Sequence, residues 1–358
     1  MPAEAAAADP ALLARLRALV RTALGAEAIG FEPITGHLGL RRFVRVRLAP
    51  RPGGPASLVA RIEAPEDPAS RPPGVLPEPP LEPVRQLLEA HGLPVPARLG
   101  GDPGSGIELL EDAGERSLAA VAATASAELR EHLYAEVCGL VPRLQRIEPR
   151  PGVAAFERRL GAEQLAYKAS RFVDWSLPQR GRPASRAEAE AVREAFGVVA
   201  EAVRAAPARL AHRDLQSSNV HVRERRPPGQ RVVLLDLQGA WLAPPEYDLV
   251  CLLRDSYVEL GEHEIETQAA RTRPALPDAP AADEFAQRFD LLTLARKAKD
   301  HALFHFVAQT RQDPRYLRYA PTTVRHLRTA TIRAAARDAR LAALAELVAQ
   351  LPETPCVR

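Results

Sequence analysis

The segment His212-Arg213-Asp214-Leu215-Gln216-Ser217-Ser218-Asn219 precedes an apolar run, Val232-Val233-Leu234-Leu235, which ends in Asp236-Leu237-Gln238-Gly239. An Asp, an Asn five positions later and a second Asp behind an apolar strand are the residue types that phosphoryl transfer to a hydroxyl needs. One carboxylate orients and deprotonates the attacking hydroxyl, while an amide oxygen and a carboxylate hold magnesium on the nucleotide phosphates. Taken singly, each of these Asp and Asn residues is as readily an ordinary turn former. The full string H-R-D-L-x-x-x-N, followed by an apolar strand and D-x-x-G, is far more specific.

That spacing dictates the elements around it. Asp214 and Asn219 must lie at opposite ends of a short loop, one reaching the substrate and the other the metal. Val220-His221-Val222 alternates as a strand leaving that loop does. Gly229 falls in the turn, and Arg231 to Leu235 is the returning strand that delivers Asp236 beside Asn219. Magnesium takes a few hard oxygen ligands together with phosphate oxygens and water, so two side chains suffice and no His or Cys cage is needed.

At these residues the chain resembles the aminoglycoside phosphotransferase and choline kinase family, relatives of the protein kinases. Asp236-Leu237-Gln238-Gly239-Ala240, running into Tyr247-Asp248-Leu249 and Leu252-Leu253, is similar to the bacterial cell-wall amino-sugar kinases. Those enzymes phosphorylate the anomeric hydroxyl of N-acetylmuramate or N-acetylglucosamine. The stretches from Thr35 to Val46 and from Arg296-Lys297-Ala298-Lys299 to Asp313-Pro314-Arg315-Tyr316-Leu317 are similar to the same subgroup. The resemblance implies ATP and Mg2+ as cofactors, Asp214 as catalytic base, and Asn219 and Asp236 as metal ligands. It makes His212 and Asp248 buttresses of the catalytic loop. The residues themselves agree. A ring two positions before the base points away from the substrate in an extended segment. Asp248 opens a predicted helix from Tyr247 to Tyr257, where it caps the helix or accepts loop amides.

Kinases of this kind place a lysine on the third strand against the nucleotide phosphates, paired with a helix glutamate. This chain has three lysines, Lys168, Lys297 and Lys299, and none is in the front region. Arg61, on a predicted strand, is the substitute, with Glu82 or Glu89 as its partner, unless it merely stands on an exposed strand face. Its planar fork would meet phosphate differently from an ammonium. Gly36 and Gly39 allow a turn to approach the phosphates, and Glu111, where a later strand ends, completes the nucleotide-side set.

The acceptor is expected to be the hydroxyl of a small molecule. Pro244-Pro245-Glu246 imitates the end of a protein-kinase activation segment, but only nine residues separate Asp236 from Glu246, too few to dock a peptide. Asp174, Trp175, Gln238 and Trp241 are the candidates for the acceptor side. A tryptophan face stacks on a sugar ring, and equally each tryptophan suits the core. An amino sugar is the first choice. An aminoglycoside, a choline-like or another small alcohol follows. A catalytically silent nucleotide-binding relative is the competing class, and retention of Asp214, Asn219 and Asp236 argues against it.

At 358 residues, with 46% apolar and 26% charged residues, the chain has the composition of a globular protein large enough for two domains. A net charge of +3, with arginines interleaved among acids, gives no reason to expect nucleic acid. Cys138, Cys251 and Cys356 are scattered and odd in number, which fits a reduced, cytoplasmic chain without a metal cage. No signal peptide, membrane association or obligate protein partner is expected. Asp9-Pro10 starts a helix over 10–24 that ends at Gly25. Strands are expected over Val44 to Leu48, with the arginines between on a wet face, over Ser57 to Ile62 and over Gly106 to Leu110. Proline-dense Ala64 to Pro80 reads as a long loop, followed by a short helix up to His91. Ser185 and Glu188 form a capping box for a helix to about Ala206, and helical periodicity runs from about Asp283 to Leu351. The expected fold is α+β, two-lobed and protein-kinase-like. A sheet lobe over 1–113 would cover the nucleotide, and a mostly helical lobe over 114–358 would carry the catalytic loop and acceptor site.

Overall fold

The computed structural model describes residues 9–34, 41–63, 78–223 and 225–354. The chain divides into two compact units, one formed by 1–75 with 95–115 and the other by 76–94 with 116–358. The helix Leu81–Ala90, expected in the front lobe, therefore counts with the larger unit.

The smaller unit is an antiparallel sheet with one helix against it. Asp9 caps the helix Pro10–Leu24 by accepting the Ala11 N–H, Pro10 opens it, and Gly25 ends it in the left-handed conformation. Leu12, Leu16 and Val20 form its inward stripe. The strands are β1 (Ala28–Ile34), β2 (Arg42–Leu48), β3 (Ser57–Ile62), β4 (Arg98–Asp102) and β5 (Ile107–Glu111), in spatial order β1-β2-β3-β5-β4. Val44, Val46, Leu58, Ala60, Ile62, Ile107 and Leu109 meet the helix stripe in one apolar core. A side chain at Gly100 of β4 would begin 2.6 Å from the Ala23 Cβ, so only glycine lets helix and strand lie this close.

The opposite face of β2 is only half as wet as alternation alone suggested: the Arg47 side chain is 43% exposed, but Arg45 is not. Arg45 is 9% exposed, its guanidinium held by Asp112 at 2.6 and 3.2 Å and by Glu115 at 2.7 Å. Both edge strands, β1 and β4, are additions to the expected sheet. Gly30 and Pro33 in β1, and Gly100 and Gly101 in β4, break the alternating pattern that marks a strand, and an edge position tolerates them.

The larger unit is mostly helical. The Ser185 hydroxyl accepts the Glu188 N–H at 3.2 Å and Glu188 accepts the Ser185 N–H at 2.7 Å, starting the helix Arg186–Ala205. The expected helical tract after 283 is three helices: Ala282–Thr310, Ala320–Ala335 and Ala342–Ala349. The first is 29 residues long and buried on nearly every side, as a central helix must be. Two short antiparallel ladders interrupt the helices. β6 (Arg209–Ala211) pairs with β9 (Trp241–Ala243), and β7 (Val220–Val222) with β8 (Val232–Leu234). The helix expected over Tyr247 to Tyr257 ends at Leu253. No helix among the described residues is long and apolar enough to cross a membrane. Cys138 and Cys251 are buried free thiols, each pushed up to about 12 by burial.

Candidate active site

The Asp214 loop lies between β6 and β7 and is tied down at both ends by buried carboxylates. Asp248, 1% exposed on the helix Tyr247–Leu253, accepts the His212 N–H at 2.7 Å and the Arg213 N–H at 3.0 Å. Asp255, equally buried, accepts the Ser217 N–H at 2.8 Å and also the Ser217 hydroxyl. Burial pushes both carboxyls up, and the amides and nearby cations oppose it. A charge-assisted hydrogen bond contributes about 1.5–3 kcal/mol, so these four contacts fix the loop rather than decorate it. His212 is 1% exposed, and neither ring nitrogen has a hydrogen-bond partner among the described residues. Its ring is buried beside the loop.

The backbone at Arg213 is left-handed, with φ 78°, and so is Asp236, with φ 62°. Both are uncommon for non-glycine residues, and both lie in the predicted motif. The β7–β8 register sets Val220 opposite Leu234, and the Leu235 N–H donates to the Asn219 carbonyl at 2.8 Å. Asp236 therefore leaves the ladder beside Asn219. The Asn219 amide nitrogen donates to the Asp214 carbonyl at 2.9 Å, which leaves its amide oxygen to accept or ligate elsewhere. The Asp236-Leu237-Gln238-Gly239 turn folds back over Asp214. A Cβ built on Gly239 would sit 3.9 Å from an Asp214 carboxylate oxygen. Asp214, Asn219 and Asp236 thus converge. Two hard oxygen donors side by side suit a magnesium ion that takes its remaining ligands from phosphates and water.

The side chain of Asp214 is 25% exposed and paired with Arg296, whose Nη1 lies 2.9 Å from Oδ1. The other arm of the same fork reaches Gln216 Oε1 at 3.1 Å. Burial raises the Asp214 carboxyl, but Arg296, Arg213 and Lys299 outweigh it and hold the group well below the ordinary carboxylate range. Asp214 is an anion aimed by a guanidinium. Arg296 is held in turn by Asp300, at 3.4 Å, which also pairs Lys297 at 2.7 Å and Lys299 at 3.1 Å. Arg296 and Asp300 were not singled out as site residues. The signal available was the Arg296-Lys297-Ala298-Lys299 cluster, an unusual density of charge for a segment of a buried helix.

Gln238 is 3% exposed and donates to Asp236 Oδ1 at 2.5 Å and to Glu78 Oε1 at 2.9 Å, so it braces Asp236. Trp241, 7% exposed, packs edge-on against Tyr247, with the Arg213 guanidinium 4.9 Å and the Lys168 ammonium 5.8 Å from its ring centre. Trp241 is a buried wall beside Arg213 rather than an open stacking face. Trp175 stands on a different element, the wide turn Phe172–Ser176, edge-on to Phe306 at 5.1 Å under Arg171; Asp174 on that turn is exposed.

In the smaller unit, Arg61 lies on β3, the third strand in chain order, as expected, but not with the expected partners. Its guanidinium is 3% exposed and pairs with Glu108 at 2.7 Å and Glu63 at 2.5 Å, its immediate neighbours in the sheet. Glu82 and Glu89 instead clamp Arg85 of their own helix, at 2.8 and 3.0 Å. Neither the predicted glutamate pair nor the exposed strand face describes Arg61. Glu111 accepts the Ala97 N–H at 3.2 Å at the end of β5. Gly36 and Gly39 lie outside the described residues.

This chain belongs to the phosphotransferase enzyme family, whose model matches residues 41–285. An N-acetylmuramate/N-acetylglucosamine kinase of Pseudomonas aeruginosa is 27% identical over 329 residues, covering 90% of this chain and 88% of that protein. A protein of the same description from Caulobacter vibrioides is 33% identical over 180 residues, 47% of each chain. Among solved structures, a choline kinase of Streptococcus pneumoniae superposes with a TM-score of 0.59 at 13% identity, covering 91% of this chain and 99% of that one. The ADP-bound aminoglycoside phosphotransferase APH(2'')-Ib gives 0.55 at 12% identity, covering 89% and 97%. The fold is the protein-kinase-like α+β fold, and the chain is a kinase-family enzyme.

Proposed function

We propose that this protein transfers the γ-phosphoryl group of ATP to a hydroxyl of an amino sugar, with the anomeric hydroxyl of N-acetylmuramate or N-acetylglucosamine as the acceptor. The convergence of Asp214, Asn219 and the Asp236 turn carries the reading of the chemistry. The 27% identity over nearly the whole chain to a kinase named for those sugars supports the acceptor. Nucleotide use is supported by the ADP-bound structural neighbour, and a cytoplasmic setting supplies ATP.

In this reading Asp214 accepts the hydrogen bond of the attacking hydroxyl and takes its proton as the oxygen commits to phosphorus. Arg296 keeps that carboxylate ionised and aimed, so its contribution is orientation rather than a raised basicity. Asn219 and Asp236 would hold magnesium, which neutralises phosphate charge when bound. Gln238 keeps the Asp236 carboxylate from swinging. Asp248 and Asp255 hold the loop amides, and His212 fills the space beneath.

The test is a screen of amino sugars, aminoglycosides and amino alcohols for magnesium-dependent ADP release, with the product identified by phosphorus NMR. An acid-labile glycosyl phosphate from an N-acetylated amino sugar is expected. Release of ADP only with choline-like or aminoglycoside acceptors would replace the acceptor while leaving the chemistry in place. Asp214→Ala should abolish turnover while retaining nucleotide binding.

A further inference from the structure

Of the 48 lysines and arginines in the chain only three are lysines, and all three belong to the helical unit that holds Asp214. Two of them are explained. Lys297 and Lys299 pair with Asp300, and Lys297 also donates to the Ser256 hydroxyl at 2.9 Å. Lys168 is not. It is 8% exposed on the helix Ala162–Arg171, and its ammonium has no hydrogen-bond acceptor or carboxylate partner among the described residues. Its contacts are the ring faces of Trp241 and Tyr247, at 5.8 and 5.6 Å. The Arg213 guanidinium lies against the same Trp241 ring at 4.9 Å, with its Nε 3.7 Å from the Asp214 carboxylate.

A buried ammonium without an anion is costly, and aromatic faces repay only part of that. Here the cost is compounded, because the nearby charges that act on Lys168 are mainly cations. Burial, then Arg296, Lys299 and Arg213, push it down to about 7. The three arginine and lysine neighbours are already committed to protein oxygens or to Asp214. Lys168 alone has its donors unspent.

We propose that Lys168, against the same Trp241 ring as Arg213, is the recognition group for a carboxylate on the acceptor. The proposal rests on the amino-sugar reading above. The two sugars named for the relatives differ in one feature that an ammonium can read, since N-acetylmuramate carries a lactyl carboxylate and N-acetylglucosamine does not. A lysine that discriminates between them is a specificity residue of the same site. Because the ammonium titrates near neutrality in the free protein, the preference for the acidic sugar is present at pH 6 and fades towards pH 8, while the sugar's own carboxylate stays ionised throughout.

The experiment is kcat/KM for both sugars with wild type, Lys168→Met and Lys168→Arg at pH 6, 7 and 8. The ratio of N-acetylmuramate to N-acetylglucosamine should fall on the order of tenfold or more in Lys168→Met, the loss of one charge-assisted hydrogen bond. Lys168→Arg should keep part of it. In wild type the ratio should decline from pH 6 to pH 8, a measurement that decides the matter even if the variants do not fold. An equal fall for both sugars would assign Lys168 to the transferred phosphate or to packing and overturn the proposal, as would a pH-independent wild-type ratio. Wild type that phosphorylates neither sugar would instead overturn the acceptor reading, and this proposal with it.

Discussion

Buried charge in the sheet unit and the charge around Asp214 in the helical unit are handled in opposite ways. In the sheet unit, among the described residues, the buried guanidiniums are met by carboxylates of the sheet or of the segments just past β3 and β5. Arg45 faces Asp112 and Glu115, and Arg61 faces Glu63 and Glu108. In the helical unit, Arg213, Arg296 and Lys299 act on Asp214 and also on Lys168, with Asp300 holding Arg296 and Lys299. The first arrangement is closed and holds strands in register. The second is left short of negative charge beside the residue that would meet a phosphorylated, anionic substrate. Excess charge of one sign, retained despite burial, is what a site for anions requires and what a scaffold avoids.

The largest effect that would break this contrast is at the base. Asp214→Asn keeps the shape and removes the anion, so kcat should fall on the order of 100- to 10,000-fold, while nucleotide affinity measured by calorimetry stays within a few-fold. Turnover near that of wild type would remove Asp214 from the chemistry.

Arg296→Gln comes next. It should lower kcat by about 10- to 100-fold, and it should also move the acid limb of the kcat profile. The guanidinium depresses the Asp214 carboxyl, so without it the carboxyl titrates at higher pH and activity is lost earlier on acidification. An unshifted acid limb would make Arg296 a packing residue only.

Acid should then separate the units. His301, His305 and His326 are buried in the helical unit, and burial lowers all three, His305 to about 4 and His326 to about 2. Their pKa in the folded state lies below the unfolded value. The stability they contribute is therefore complete above about pH 6.5 and is lost as pH falls towards 4. Hydrogen exchange at pH 7 and pH 5 should show protection falling in the helix Ala282–Thr310 before it falls at Leu58 and Leu109. Equal losses in both units would contradict this.

The smallest effect is expected in the sheet. Arg61→Met removes the arginine from Glu108, while Glu63 keeps Arg41 at 3.2 Å, so stability should drop by about 1–3 kcal/mol in urea unfolding. Because the guanidinium is committed to Glu63 and Glu108, nucleotide affinity should change by no more than about threefold. A larger loss of affinity would return Arg61 to the phosphates.

The sequence by itself determined the Asp214–Asn219 loop, its two short strands and the delivery of Asp236. These depend on local rules: alternation, turn residues and a motif whose spacing is set by one loop. It also determined the Asp9 and Ser185 caps, which are short-range hydrogen bonds. The tertiary structure alone decided what reaches Asp214 from outside that loop. Arg296 is eighty-two positions away, on a helix whose burial on nearly every side leaves no clear amphipathic stripe to show which residue faces the loop. It likewise decided Arg61's partners and the edge strands β1 and β4, because pairing across a sheet is set by register between distant segments. Lys168 is the clearest case. A lone lysine in a helical pattern reads as a solvated side chain, and only packing shows it buried against two rings with no anion to meet it among the described residues.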